Sequence, residues 1–332
     1  MLVTDLAPAA VVAAAIAPVL LVLWLAVAAD SRPEPPRVML VAVVLGALST
    51  VVALLLELSL PRYVPVSHNP WLGIDESTLL FIAIPEETVK IAIIAAIGLR
   101  ARWFDEPMDG VVYGAAVGLG FAAVENLLYL VALHSDWAFV AVIRGVLSVP
   151  FHGALGAIAG AYIASARFGG ALGAHSHGRW RRARLLASAW LIPVVLHTLY
   201  DAAILSLPHA TPPGVLELLA MAVAVGFGAI VFAVRLARRI ARRQKAWLQT
   251  KRLPPADWRG VWARCLIGIG SSVVAAVLIV SGNVGGKVAG WALMALAVGI
   301  CWHCGKYLSE AAKLRHLPAA VPSPAGSVTP PA

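Results

Sequence analysis

The sequence predicts an all-α fold, a polytopic bundle of transmembrane helices that crosses the bilayer about nine times. Three observations predict it. The chain of 332 residues is 60% hydrophobic and 13% charged, where a soluble domain is roughly half apolar and a quarter charged. Its mean hydropathy is +0.84. Its apolar residues fall into runs of about 20, long enough for a helix to span the hydrocarbon core and separated by short polar loops. Runs of that length point to helices rather than barrel strands.

The first run, 7–29, lacks a basic leading region and is long for a signal-peptide core, so it is expected as a retained helix. The others are 38–60, 77–98, 110–133, 139–165, 185–207, 214–234, 265–282 and 286–304. Basic residues cluster in alternate loops: Arg32 and Arg37; Arg100 and Arg102; Arg167, Arg179, Arg181, Arg182 and Arg184; the segment 235–264; and Lys306, Lys313 and Arg315. The opposite loops carry only Arg62 and Lys287. This bias places the N-terminus outside and the C-terminus in the cytoplasm. The net charge of +9 is then explained by orientation and a lipid-facing basic surface, and no nucleic-acid partner is expected.

The expected organisation is two N-terminal helices and an outer loop over 1–76, a core over 77–234, a basic linker or amphipathic helix over 235–264, two additional helices over 265–304, and a disordered Pro- and Ala-rich tail over 305–332. The outer loop is either a re-entrant lid or a long turn. Of the three cysteines, Cys265, Cys301 and Cys304, the last two have CxxC spacing. With no second pair they are expected to be ordinary small residues.

Four polar clusters lie inside the apolar runs, where charge is costly and usually functional. The third run carries Glu86, Glu87 and Lys90. Four residues apart, Glu86 and Lys90 share a helix face and can pair, while Glu87 points about 100° away toward a different neighbour. The fourth run carries Phe121, Glu125 and Asn126 on the continuation of a Gly110, Gly114, Gly118 stripe, which lets another helix approach closely. The fifth carries Arg144 and His152, the latter in step with Gly156 and Gly160. Arg144 is either an electrostatic stabiliser or a side chain snorkelling to the interface. The sixth carries His197 and Asp201, one turn apart, able to share a metal or to let the carboxylate orient the imidazole. Glu57 and Glu217 belong to no motif and are taken as structural. Counting the histidines as neutral, four carboxylates against Lys90 and Arg144 leave two negative charges, a count that permits a divalent cation without demanding one.

Together these residues resemble the PrsW family of intramembrane proteases, related to the type II CAAX prenyl proteases. The family pattern is EExxK, FxxxE, a lone His and HxxxD on successive helices, here Glu86-Glu87-Thr88-Val89-Lys90, Phe121 to Glu125, His152, and His197 to Asp201. The resemblance covers about 77–207 and implies cleavage of a membrane-embedded protein substrate in a prokaryotic inner membrane. Two mechanisms stay open. In one, a glutamate of the Glu86/Glu87 pair, with His152, activates water, and His197 and Asn126 stabilise the oxyanion. In the other, Glu125, His152, His197 and Asp201 hold Zn²⁺. Lys90 is a charge partner in both. The alternative functions are a proton- or cation-coupled transporter and a scaffold whose charges are structural.

Overall fold

The computed structural model describes residues 7–60, 76–101, 103–133, 135–169 and 178–251. Among the described residues the regular structure is entirely helical. In chain order the α-helices are α1 (Ala7–Ala28), α2 (Pro36–Ser59), α3 (Ile84–Arg100), α4 (Pro107–Ala132), α5 (Trp137–Ile143), α6 (Val149–Arg167), α7 (Arg179–Ser206) and α8 (Pro212–Lys251). Two π-helical turns, Thr78–Ala83 and Arg144–Ser148, lead without a break into α3 and α6.

Six helices are long and apolar enough to cross a membrane: Ala9–Ala28, Pro36–Ser59, Pro107–Ala132, Trp137–Arg167, Arg179–His209 and Pro212–Ala246. The third expected span is also continuous helix, from 76 to 100. Its buried Glu86, Glu87 and Lys90 set it apart from the six. The expected eighth and ninth spans, the CxxC pair, the tail and all of the outer loop but Glu76 lie outside the described residues. The basic segment after 234 continues α8 as one helix as far as Lys251.

The bundle is organised around α4, whose residues from Pro107 through Ala122 are all buried. The expected glycine stripe faces α6. A methyl group on Gly114 would strike the backbone carbonyl of Gly156; Gly110 and Gly118 abut the carbonyls of Gly160 and His152 in the same way. On the other side of α4, Gly120 lies against the backbone of α2 at Val43, and Gly46 of α2 against Val117. Backbones this close admit no side chain, so the helices are locked in register by van der Waals contact. The opposite face of α2 shows Leu40, Val44, Leu48, Val51, Leu55 and Leu58 outward, as a lipid-facing surface should.

The start of α4 is anchored by a polar cluster. Glu106 caps the helix in a capping box with Asp109, whose Oδ2 accepts the amides of Asp105 and Glu106 at 2.8 Å each. Glu106 also pairs with Arg32 and accepts a 2.7 Å hydrogen bond from Gln244 Nε2. Gln244 Oε1 in turn accepts the Met108 amide at 2.6 Å, which pins the extension of α8 to the head of α4. Burial pushes the Glu106 carboxyl up to about 8, against the pull of Arg32 and with added push from Asp30, Asp105 and Glu34.

Candidate active site

Four helices bring the polar clusters together, and proline shapes two of them. Pro85 and Pro150 have no N–H, and their rings crowd the carbonyl one turn back. In both places the preceding turn widens: the Ile84 amide reaches Leu79 and the Val149 amide reaches Arg144, each five residues back. Widened turns of this kind occur often at functional sites. Here one immediately precedes Glu86 and Glu87, and the other immediately precedes His152.

Glu87 Oε1 receives Lys90 Nζ at 2.6 Å and lies 2.8 Å from His197 Nδ1. Glu86 Oε2 receives the same ammonium at 3.2 Å and is 3.9 Å from His197 Nε2. Lys90 Nζ is also 3.4 Å from His152 Nδ1 and 4.0 Å from the centroid of the Phe121 ring. An ammonium only donates, so His152 Nδ1 is the acceptor and Nε2 carries the proton toward Glu125 Oε2, 2.7 Å away. Glu125 is held by Arg144 Nη2 at 3.0 Å, and Arg144 Nε donates to Asn126 Oδ1 at 2.8 Å. Asp201 Oδ2 lies 3.1 Å from His197 Nε2. The imidazoles of His152 and His197 meet edge to face, 5.2 Å between centroids. Phe151 and Tyr200, stacked at 4.5 Å, wall the histidines on one side.

All the expected site residues therefore meet. Two expectations change in detail. Lys90 pairs with both glutamates, and more closely with Glu87, which had been expected to face away from it; a lysine three and four residues on sits between the two. Arg144 does not snorkel but pairs with Glu125 and lies over the Tyr129 ring.

The residues whose donor atoms all come within 4.8 Å of one another are Glu86, Glu87, His152 and His197, all buried. Glu125 and Asp201, expected beside the histidines as ligands, each touch one histidine nitrogen and are 16% and 23% exposed at the side chain. Two imidazole nitrogens and two carboxylate oxygens are the donor chemistry of a zinc site, so the residues present fit a metal. Glu57 of α2, taken as structural from the sequence, is half-buried and within electrostatic reach of Glu125, His197, Lys90 and Asp201. Its signal was a lone charge in an apolar span. Sequence reasoning missed the 2.9 Å hydrogen bond from Trp190 Nε1 to Thr88 Oγ1, which ties α7 to α3.

A membrane bundle that gathers paired carboxylates, two imidazoles and an ammonium in one buried centre has the equipment of a membrane-embedded hydrolase. Residues 34–234 match the model of the PrsW family intramembrane metalloprotease. Relatives include Protease PrsW of Oceanobacillus iheyensis, 30% identical over 191 residues, which are 58% of this chain and 81% of the relative. Protease PrsW of Bacillus subtilis is 33% identical over 168 residues, 51% of this chain and 70% of its own. That of Clostridioides difficile is 29% identical over 194 residues, 56% and 76% of the two chains. The chain belongs to the PrsW family of intramembrane metalloproteases. It is a peptide hydrolase and a multi-pass membrane protein of bacterial kind, its substrates membrane proteins. The transporter reading is not favoured. No solved structure matches the chain.

Proposed function

We propose that this protein hydrolyses a peptide bond of a membrane-anchored protein at the buried centre of α3, α4, α6 and α7, with Glu87 as the general base. The observation that carries this reading is the convergence on Glu87 Oε1 of Lys90 at 2.6 Å and His197 at 2.8 Å. Glu86 and His152 complete the cradle for the attacking water. Glu87 takes its proton and passes it to the leaving amine. The oxyanion is stabilised by Asn126, whose buried Nδ2 has no hydrogen-bond partner and is free to donate, while His197, with a carboxylate at each nitrogen, holds Glu87 in place. Glu125 orients His152, and Asp201 orients His197. Where a divalent ion is bound, Glu86, Glu87, His152 and His197 hold it, and it supplies Lewis-acid polarisation of the carbonyl or of the water.

The catalytic unit is 77–234, with 1–76 as supporting helices, 235–264 as a basic segment that begins as the far part of α8, 265–304 as two further spans and 305–332 as a tail. With nine spans, the N-terminus lies outside and the C-terminus in the cytoplasm of a bacterial inner membrane. The partial exposure of Glu125 and Asp201 supports a cleft that opens on the extracytoplasmic side.

The test pairs wild type with Glu87→Gln on a panel of fluorogenic transmembrane peptides, with metal content measured on the same samples. The variant should lose cleavage by about 10²- to 10⁴-fold with its melting profile retained. Equal cleavage by both would remove Glu87 from the mechanism.

A further inference from the structure

We propose that the Lys90 ammonium is the resident cation of this centre, occupying the position a divalent ion would take, so that lysine and metal compete for one set of donors. This rests on reading Glu86, Glu87, His152 and His197 as one site, and its test measures metal binding and melting rather than cleavage.

The geometry is specific. Of the four residues whose donor atoms converge, Lys90 Nζ touches three: Glu87 Oε1 at 2.6 Å, Glu86 Oε2 at 3.2 Å and His152 Nδ1 at 3.4 Å. The fourth, His197, sits on the same Glu87 oxygen at 2.8 Å. An ammonium has three protons, and each has a partner here. The Phe121 ring, 4.0 Å from Nζ, covers another side with its negative π face. Lys90 is 2% exposed. Its charge is thus satisfied by protein groups, three of them belonging to the four residues whose donor atoms converge.

Charge balance gives this consequence. With all four carboxylates ionised, Glu86, Glu87, Glu125 and Asp201 against Lys90, Arg144 and a His197 that faces a carboxylate from each nitrogen leave no excess of positive charge, so the donors can take a divalent ion once the ammonium leaves them. The ion and the ammonium cannot share the same oxygens at these distances without strong repulsion. Lysine carries its charge on a flexible four-carbon stem, so it can withdraw by changing rotamer and stay nearby as a counter-charge. A purely structural ion pair would use the same contacts but would not set lysine against metal.

The experiment uses the full chain in detergent, with Co²⁺ as a spectroscopic probe and Zn²⁺ in melting measurements, on wild type, Lys90→Met and Lys90→Arg. Lys90→Met should melt lower without metal, because it leaves buried carboxylates without their cation. It should bind Co²⁺ about tenfold or more tightly than wild type, and added Zn²⁺ should restore its melting temperature. Lys90→Arg keeps the charge and should show no gain in affinity. Should Lys90→Met fail to fold, Lys90→Gln supplies the same comparison, neutral but still able to hydrogen-bond the carboxylates. A folded neutral variant that binds metal no more tightly than wild type, or that zinc does not stabilise, overturns the competition. An equal gain in Lys90→Arg overturns it as well. Failure of the protease reading would show separately, as folded wild type that cleaves no peptide.

Discussion

At the scale of single residues, the centre is a set of histidines each held at both nitrogens. His197 stands between Glu87 and Asp201, and His152 between Lys90 and Glu125. Two partners fix a ring's orientation as well as its protonation pattern, so a carboxylate that never touches substrate still governs the chemistry. Asp201→Asn keeps the size and one acceptor but weakens the hold on His197. It should cut kcat by about 10- to 100-fold and leave KM nearly unchanged, measured on a cleaved transmembrane peptide. A rise in KM with unchanged kcat would instead place Asp201 in substrate binding. The HxxxD spacing made this contact legible, because a separation of four can only stack the two side chains on one face. The role of Lys90 was legible only in half. Adjacent glutamates diverge by about 100°, which looks like separation. A lysine one turn later, at i+4 from one and i+3 from the other, sits between them and joins what the angle divides.

At the scale of elements, two prolines precede the polar side chains of the centre and shape the turns that aim them. Both were visible in the sequence. Their effect was not, because periodicity assumes 3.6 residues per turn throughout, and a π turn shifts the register of everything after it. Pro85→Ala would restore the missing N–H and remove the clash that widens the turn before α3. The helix should tighten and carry Glu86 and Glu87 away from His152 and His197. Cleavage should fall by an order of magnitude or more while circular dichroism and the melting temperature stay at or above the wild-type values. A variant with full activity would show that the wide turn plays no part in placing the pair. The glycine contacts between α4 and α6 fail differently. Gly114→Leu would drive a side chain into the Gly156 carbonyl, with no flexible atom able to move aside. It should destabilise by about 1–3 kcal/mol or more and remove activity along with the fold. The glycine and histidine stripes announced this contact in full, since small residues four apart on two neighbouring spans have one efficient way to meet.

For the whole molecule, hydropathy located helices at all seven expected runs within the described residues, six of them long and apolar enough to cross a membrane, and the four motifs named the helices that meet. What it did not reveal is the knot where Arg32, Glu106, Asp109 and Gln244 join the α1–α2 connection, the head of α4 and the far part of α8. These residues are far apart in sequence, and each looks like an ordinary loop charge or a solvated helix face. The knot carries a pH dependence whose sign follows from Glu106. Burial, aided by Asp30, Asp105 and Glu34 and opposed by Arg32, raises its folded pKa from 4.5 to about 8. Between those values the folded protein holds a proton that the unfolded chain has released. The stabilising contribution is therefore complete below about 4.5 and is lost as pH rises through about 8. Asp30, buried beside it, is shifted in the same direction. Ionisation of Glu106 sets a buried carboxylate against Asp30, Asp105 and Glu34 in the knot that pins α8, so the end of α8 should loosen with it. The melting temperature should fall between about pH 4.5 and about pH 8 and level off above, and tryptic cleavage at Arg242, Arg243 and Lys245 should rise as the pH passes about 8. Glu106→Gln, which cannot ionise, should show a shallower fall. If the variant and wild type lose stability in parallel across that window, the pH dependence belongs to another group, and the knot is a fixed anchor rather than one that alkali releases.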